Sequence, residues 1–365
     1  MRIEAAVLRT ADTPFTIEEL ELTDPGPHQV RVRIAGAGHC HTDVLPRSPG
    51  YSHTLPIVVG HEGSGVVECV GDAVTTLSVG DHVVLSFDSC GTCGNCCDAH
   101  PAYCDTFLAR NLTGTALDGS TSLVDGQGSA VAGRWFGQSS FATHTIVDEH
   151  NAVLVDKSLP LDLLGPLGCG ILTGAGAVFN VLKIRAGDGI VITGAGAVGL
   201  AAVMAANVAG AGPIIAVDLN TARLDLAREL GATSTIVGGT GDLTAQIRSA
   251  APAGVRYGLD TTGLPTVICD TLTALPARGV LGLVGVQQGD LTIPPRALTV
   301  GRTLTGILEG DANPHTLIPA LIGLWRDGKF PFDRLITTYP LRDINNAERL
   351  SLAGEVVKPV LLPNG

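Results

Sequence analysis

The stretch from Gly189 to Val217 contains no charged residue, and no other feature limits so sharply what this chain can fold into. An apolar run of that length is either a membrane span or a buried βαβ unit. Its punctuation favours the second. Gly194, Gly196, Gly199, Gly210, Gly212 and Pro213 break it into strand, turn, helix, turn and strand. A parallel βαβ unit covered on both faces is apolar nearly throughout, so the absence of charge fits. Leu163–Leu182 is equally uncharged and passes the same hydropathy test, so composition alone does not separate it from a span.

Within the first run, Ile190–Thr193 leads into Gly194-Ala-Gly196-Ala-Val198-Gly199 and then a helix-like segment. This is a GxGxxG turn between a strand and a helix, the context that dinucleotide binding requires. Gly194 permits the tight turn, Gly196 the approach of a pyrophosphate, and Gly199 the close packing of helix on strand. The helix start beyond, through Val198, offers free N–H groups to the phosphate. Asp218 closes the next strand, where a carboxylate accepts from an adenosine ribose. The bland alternative is a glycine turn followed by a helix-capping Asp. A carboxylate at 218 repels a 2′-phosphate, so NAD is expected over NADP, with Arg223 nearby softening that choice.

A chain of 365 residues exceeds the usual single core, so two domains are expected. Up to about residue 165 the pattern is β-rich. Val30–Ile34 alternates, and Gly63–Val70 and His82–Leu85 read as further strands. From about Gly174 strands and helices alternate, with strands at Gly189–Thr193, Ile214–Asp218, Thr233–Val237, Arg256–Asp260 and Gly279–Val284. Thr221–Leu230 is a helix between two of them, and the alternation predicts a doubly wound parallel sheet. A helix is expected at Pro314–Asp327, and a final extended run at Val356–Leu362 returns to the first domain.

Cys90-x2-Cys93-x2-Cys96-x7-Cys104 places four thiols in one loop-rich segment, with Gly91 and Gly94 for the bends. Four convergent thiolates are a closed, structural zinc site. Cys97 competes with Cys96 for a place, and the even spacing favours Cys96. Free buried thiols or a nucleic-acid zinc ribbon are the alternatives. A net charge of -12 and the lack of a basic patch argue against nucleic acid, and the same charge disfavours an anionic membrane. Of nine cysteines most fall into metal-ligand spacing, which suits a reducing cytoplasm, and the N-terminus lacks a signal-peptide pattern.

Cys40, His61 and Cys169 are dispersed, as the three protein ligands of a catalytic zinc are, but spacing alone does not assemble them. Singly, each is more often a core residue. Their surroundings carry a resemblance. GHCHTD at 38–43, GHEGSGVVECVG at 60–71, CGTCGNC at 90–96, GCGILTGAGAV at 168–178 and GAGAVG at 194–199 resemble the zinc-containing medium-chain alcohol dehydrogenases over essentially the whole chain. GCGILTGAGAV and FPFDRLI at 330–336 most resemble the aryl- or benzyl-alcohol members.

The resemblance implies an α/β protein with a GroES-like catalytic domain (1–170 and 308–365, zinc lobe at about 88–106) and a Rossmann NAD domain (171–307). It implies Cys40, His61 and Cys169 as catalytic zinc ligands and Cys90, Cys93, Cys96 and Cys104 as structural ones, hence two zinc ions per chain. Asp43 and Glu62 would orient the ligands, and Thr42 would begin a proton relay. His41 stands where relatives often carry a pyrophosphate-binding Arg, and Leu45 where some carry a relay histidine, so the proton leaves through His41 or water. Lys358 sits at a pyrophosphate-contacting position of relatives. Tyr51, Ser86, Trp135 and Phe136 are pocket candidates by position, and the two aromatics fit packing equally well. The implied reaction is NAD-linked interconversion of a primary aromatic or allylic alcohol and its aldehyde, by a homodimer or homotetramer. Rival readings are an aliphatic-alcohol or thiol–formaldehyde-adduct dehydrogenase and a nucleotide-binding zinc protein without chemistry.

Overall fold

The computed structural model describes residues 1–363, with the side chains of residues 51–53 excepted, and the chain divides into two compact units. Unit 1 comprises residues 1–169, 313–319 and 335–365; unit 2 comprises 170–312 and 320–334.

Unit 1 opens with ten short strands: β1 Arg2–Leu8, β2 Thr16–Leu22, β3 Gln29–Gly38, β4 Ile57–Val58, β5 Glu62–Val70, β6 His82–Leu85, β7 Leu123–Val124, β8 Ala130–Val131, β9 His144–Asp148 and β10 Ala152–Val155. The alternation read at Val30–Ile34 is the buried-inward rhythm of β3, where Val30, Val32 and Ile34 are fully buried. Unit 2 carries β11 Ile190–Thr193, β12 Ile214–Asp218, β13 Ser234–Val237, β14 Tyr257–Asp260, β15 Val280–Leu283 and β16 Thr303–Gly306. All five pairings are parallel, in the order β13-β12-β11-β14-β15-β16, the doubly wound arrangement with its crevice at the β11/β14 switch point. The uncharged run is therefore β11, the helix Ala197–Val208 and β12, and the residues of β11 are buried throughout.

The chain then returns to unit 1 with β17 Ile336–Pro340 and β18 Lys358–Leu362. β18 lies between β3 and β17, antiparallel to the first and parallel to the second. In this way one sheet runs β10-β6-β5-β3-β18-β17, with β9 also on β3, and a second runs β4-β1-β2-β7-β8.

The expected second boundary is displaced. Residues 308–312 and 320–334 group with unit 2, although the resemblance implied all of 308–365 in the first domain. The cause is local: β16 ends at Gly306, but Gly310 is packed backbone to backbone on Gly176 of the helix Gly170–Gly176, so the chain stays with unit 2 past that strand. The later boundary falls within the helix Pro314–Arg326, beside its internal Pro319. Among the described residues, no single helix is long and apolar enough to cross a membrane; Leu163–Leu182 is broken into several short helical pieces.

Candidate metal centre and dinucleotide turn

β3 ends at Gly38, and the chain enters a 3-10 turn, His41–Arg47, with Cys40 at its head. Asp43 in that turn is buried and reaches three ways. Its Oδ2 accepts from the Cys40 N–H at 3.0 Å; its Oδ1 accepts from the Gly60 N–H at 3.0 Å and lies 2.7 Å from His61 Nδ1. A carboxylate on Nδ1 fixes the ring and leaves Nε2 as the coordinating atom. His61 Nε2 is buried with no hydrogen-bond partner, which is costly unless a cation completes it.

Cys169 arrives from a separate segment, the 3-10 turn Gly165–Gly168, and Gly168 fits because an added Cβ would lie 2.0 Å from the Leu85 carbonyl oxygen. Ligand atoms of Cys40, His61, Glu62 and Cys169 all lie within 4.8 Å of one another. The dispersed trio is therefore brought together inside unit 1.

The electrostatics suit a cation. Hydrogen bonding from Cys169 holds the Cys40 thiol well below its ordinary range, against burial and with help from Lys358 and His61. Burial works to lower His61, yet Asp43 and the Cys40 sulfur hold it well above its usual value. Two thiols and one imidazole, oriented by a carboxylate, are the donor set zinc takes at a site with an open position. Glu62 is fully buried, and burial raises its pKa against the opposing charge of Lys358.

Lys358 departs from expectation. Its Nζ donates to both Glu62 oxygens, each at 2.8 Å, and to the His39 carbonyl at 3.1 Å. An ammonium has three protons, and all three are engaged inside unit 1. The expected pyrophosphate contact is thus replaced by a buried ion pair beside the metal centre.

Thr42 Oγ1 lies 3.8 Å from Cys40 Sγ, and His41 next to it is exposed. Of the pocket candidates, Phe136 stacks on the His61 ring with centroids 4.4 Å apart. Trp135 is fully buried edge-on to Phe136, so it packs rather than presents surface. Ser86 is also buried, its hydroxyl donating to the Gly168 carbonyl at 2.6 Å, and it braces the Cys169 turn instead of lining a pocket. The Tyr51 side chain lies outside the described residues.

The second thiol group is formed by Cys90, Cys93, Cys96 and Cys104, whose sulfurs lie within 4.8 Å of one another. Cys90 and Cys96 sulfurs are 3.9 Å apart, close to the roughly 3.8 Å that two ligands of a tetrahedral zinc adopt at Zn–S of about 2.3 Å. The Thr92 amide first, then that of Cys93, pulls Cys90 down to about 6, while burial and neighbouring thiols push Cys96 up to about 12. Thiols so close resist joint ionisation without a shared cation. Cys97 is exposed, its Sγ turned to the Thr92 carbonyl, and takes no part in the group.

In unit 2, Gly194 has φ +91°, and an added Cβ would meet Thr261 Oγ1 at 2.2 Å. At Gly199 it would meet the Gly194 carbonyl at 1.8 Å. At Gly196 it would meet nothing within 4 Å, so the turn is open on the side from which a pyrophosphate would approach. Gly196 heads the helix Ala197–Val208 without a side-chain cap, leaving the amides around Val198 open. Asp218 Oδ2 accepts from the Ala195 N–H at 2.6 Å and Oδ1 from the Asn220 N–H at 2.8 Å. Those bonds fix the carboxylate beside the turn and leave acceptor capacity for ribose hydroxyls; Arg223 follows in the helix Thr221–Glu229. Asp260, at the end of β14, escaped notice in the sequence. It is fully buried and accepts from Thr193 Oγ1, Thr262 Oγ1 and the Thr262 and Gly263 amides, tying the glycine turn to the neighbouring loop.

Comparison with known proteins decides the family. Residues 26–157 match the alcohol dehydrogenase GroES-like domain, and residues 197–324 match the zinc-binding dehydrogenase domain. A geraniol dehydrogenase of Castellaniella defragrans is 47% identical over 363 residues, 98% of this chain and 97% of that protein. The chain belongs to the zinc-binding alcohol dehydrogenases. An alcohol dehydrogenase zinc-binding domain protein from Burkholderia ambifaria superposes with TM-score 0.97 at 47% identity, covering 100% of both chains. Benzyl alcohol dehydrogenase from Acinetobacter calcoaceticus gives 0.95 at 42%, covering 99% of both. As a zinc-binding alcohol dehydrogenase, the chain is an oxidoreductase that uses zinc and a nicotinamide dinucleotide.

Proposed function

We propose that this dehydrogenase interconverts a primary allylic or aromatic alcohol and its aldehyde, with NAD as the hydride carrier. The observation that carries the reading is the convergence of Cys40, His61 and Cys169, with Asp43 on His61 Nδ1 and the flat Phe136 ring stacked on His61. The relatives named for geraniol and benzyl alcohol support the substrate class, since one alcohol is allylic and the other benzylic.

A zinc ion on Cys40, His61 and Cys169 would supply Lewis acidity to the substrate oxygen, and NAD would accept hydride. The remaining work falls to the chain. Asp43 holds the imidazole tautomer and, through the Cys40 amide, the thiol's backbone. Thr42 Oγ1 accepts the hydroxyl proton of the alcohol as it hands its own to His41 or water, which carries it to solvent. The Lys358–Glu62 pair keeps a second carboxylate neutralised at the metal's edge. Phe136 excludes water on one side of His61. Asp218 selects NAD over NADP by repelling a 2′-phosphate. Cys90, Cys93, Cys96 and Cys104 hold a second, structural zinc, giving two per chain. The unpaired, ligand-spaced thiols suit a reducing cytoplasm, and family analogy supports a homodimer or homotetramer.

The test is initial rates of NAD reduction with benzyl, cinnamyl, geranyl and short straight-chain alcohols. A kcat/KM about tenfold higher for the first three is expected, a difference of about 1.4 kcal/mol in transition-state binding. Equal or faster rates on straight chains would discard the substrate class, and faster rates with NADP would discard the role of Asp218.

A further inference from the structure

Past the carboxyl end of β16 the backbone does something rare. Glu309, Gly310 and Asp311 take φ of +47°, +66° and +47° in succession. Glycine adopts such backbone freely and aspartate tolerates it, whereas glutamate resists it. Residues held this way persist only where their surroundings over-determine them, and they gather at functional sites.

The surroundings here are specific. A Cβ on Gly310 would lie 2.9 Å from Gly176 Cα and from the carbonyl oxygens of Leu172 and Thr173, so the turn is pressed onto the helix Gly170–Gly176. That helix continues into a π-helical turn, Ala177–Val181, itself a feature frequent at functional sites. Asn180 in the π turn donates from Nδ2 to the carbonyls of Gly310 at 3.2 Å and Asp311 at 3.0 Å. Thr173 Oγ1 donates to Glu309 Oε2 at 3.2 Å, and both residues are buried. A doubly wound sheet binds its dinucleotide outside the carboxyl ends of the strands. With the adenosine end on β11–β13, the nicotinamide end falls to β14–β16, where this turn lies.

We infer that Glu309 is a positioning residue for the nicotinamide end of the cofactor: through Thr173 it locks a strained turn whose backbone sets where that ring rests. The inference rests on the dinucleotide reading given above. Hydride transfer then depends on a side chain that touches neither reactant, because a small misplacement of reacting atoms is expensive in rate.

The test compares affinities for NADH and for ADP-ribose, which lacks the nicotinamide ring, using zinc-loaded protein. Glu309→Ala is expected to weaken NADH about fivefold or more and to lower kcat, while ADP-ribose stays within about twofold. Glu309→Gln, which keeps an acceptor for Thr173, is expected to restore NADH binding. Thr173→Val is expected to follow Glu309→Ala and decides the matter if the alanine variant does not fold. Wild-type NADH affinity in both Glu309→Ala and Thr173→Val, or equal loss of both ligands, would overturn the inference while leaving dinucleotide binding intact. A wild-type protein that binds neither ligand would overturn the dinucleotide reading itself.

Discussion

Replacing Lys358 with methionine removes one half of an ion pair in which neither side chain is more than 3% exposed. Glu62 then loses two hydrogen bonds of 2.8 Å and remains buried as an uncompensated charge. Breaking a buried pair from one side costs about 3–5 kcal/mol, mostly the desolvation of the group left behind. At roughly 2–4 °C per kcal/mol for a unit of this size, Lys358→Met is expected to lower the melting temperature by on the order of 10 °C. The companion is the double variant Glu62→Leu/Lys358→Met. Apolar replacement of both partners is commonly neutral or better, so the double variant is expected to recover most of the loss. Thermal melts of the four proteins, followed by near-ultraviolet circular dichroism, give the cycle. A single variant within about 1 kcal/mol of wild type would show that the pair is hydrated and the burial argument wrong. A stable Lys358→Met protein with raised KM for NAD would instead return Lys358 to the pyrophosphate.

Asp43→Asn keeps an acceptor for His61 but turns an N–H toward the Cys40 amide; metal affinity or activity is expected to fall about 10–100-fold, and full occupancy by metal analysis would refute the orienting role. Cys96→Ser is expected to lower zinc content and thermal stability, whereas Cys97→Ser leaves both unchanged; the reverse pattern would exchange the two residues as ligands. Burial works to lower His150, but Asp88 at 3.0 Å prevails and its pKa is raised. A raised folded pKa contributes stability that is full below the unfolded value and lost as pH rises through the folded one. The melting-temperature gap between wild type and His150→Gln should therefore be widest near pH 6 and shrink above it, and a constant gap would rule the ion pair out.

Much of this was legible because the periodicities are strong. The strands β11 to β15 and the helix at Thr221 follow from apolar runs bounded by glycine, with ends shifted by about a residue. The thiol lobe was legible too, since its ligands are local in sequence. Cys40, His61 and Cys169 were not legible from spacing, because three separate segments must fold before they meet; resemblance supplied that step. The buried role of Lys358, assigned instead to a pyrophosphate, and Asp260 and Glu309 altogether escaped for a related reason. A lone charged residue looks alike whether it faces solvent or a buried partner, and the pairing of Lys358 with Glu62 spans 296 residues. The boundary after β16 was misplaced because backbone packing of Gly310 on Gly176 leaves no periodic trace.

The position of β18 between β3 and β17 has a consequence for how the protein is made. During synthesis β3, β5, Glu62 and all three dispersed ligands emerge before unit 2, but the strand that completes their sheet follows only after it. Until then β3 has an unfilled edge along Ala37 and Gly38, and an acidic group nearby awaits its cation. A nascent chain is therefore held in an unfinished state for the time taken to translate the whole sheet of unit 2, at about 5–20 residues per second. Chaperone occupancy on nascent chains should persist through that interval and drop only once β18 is free to pair with β3.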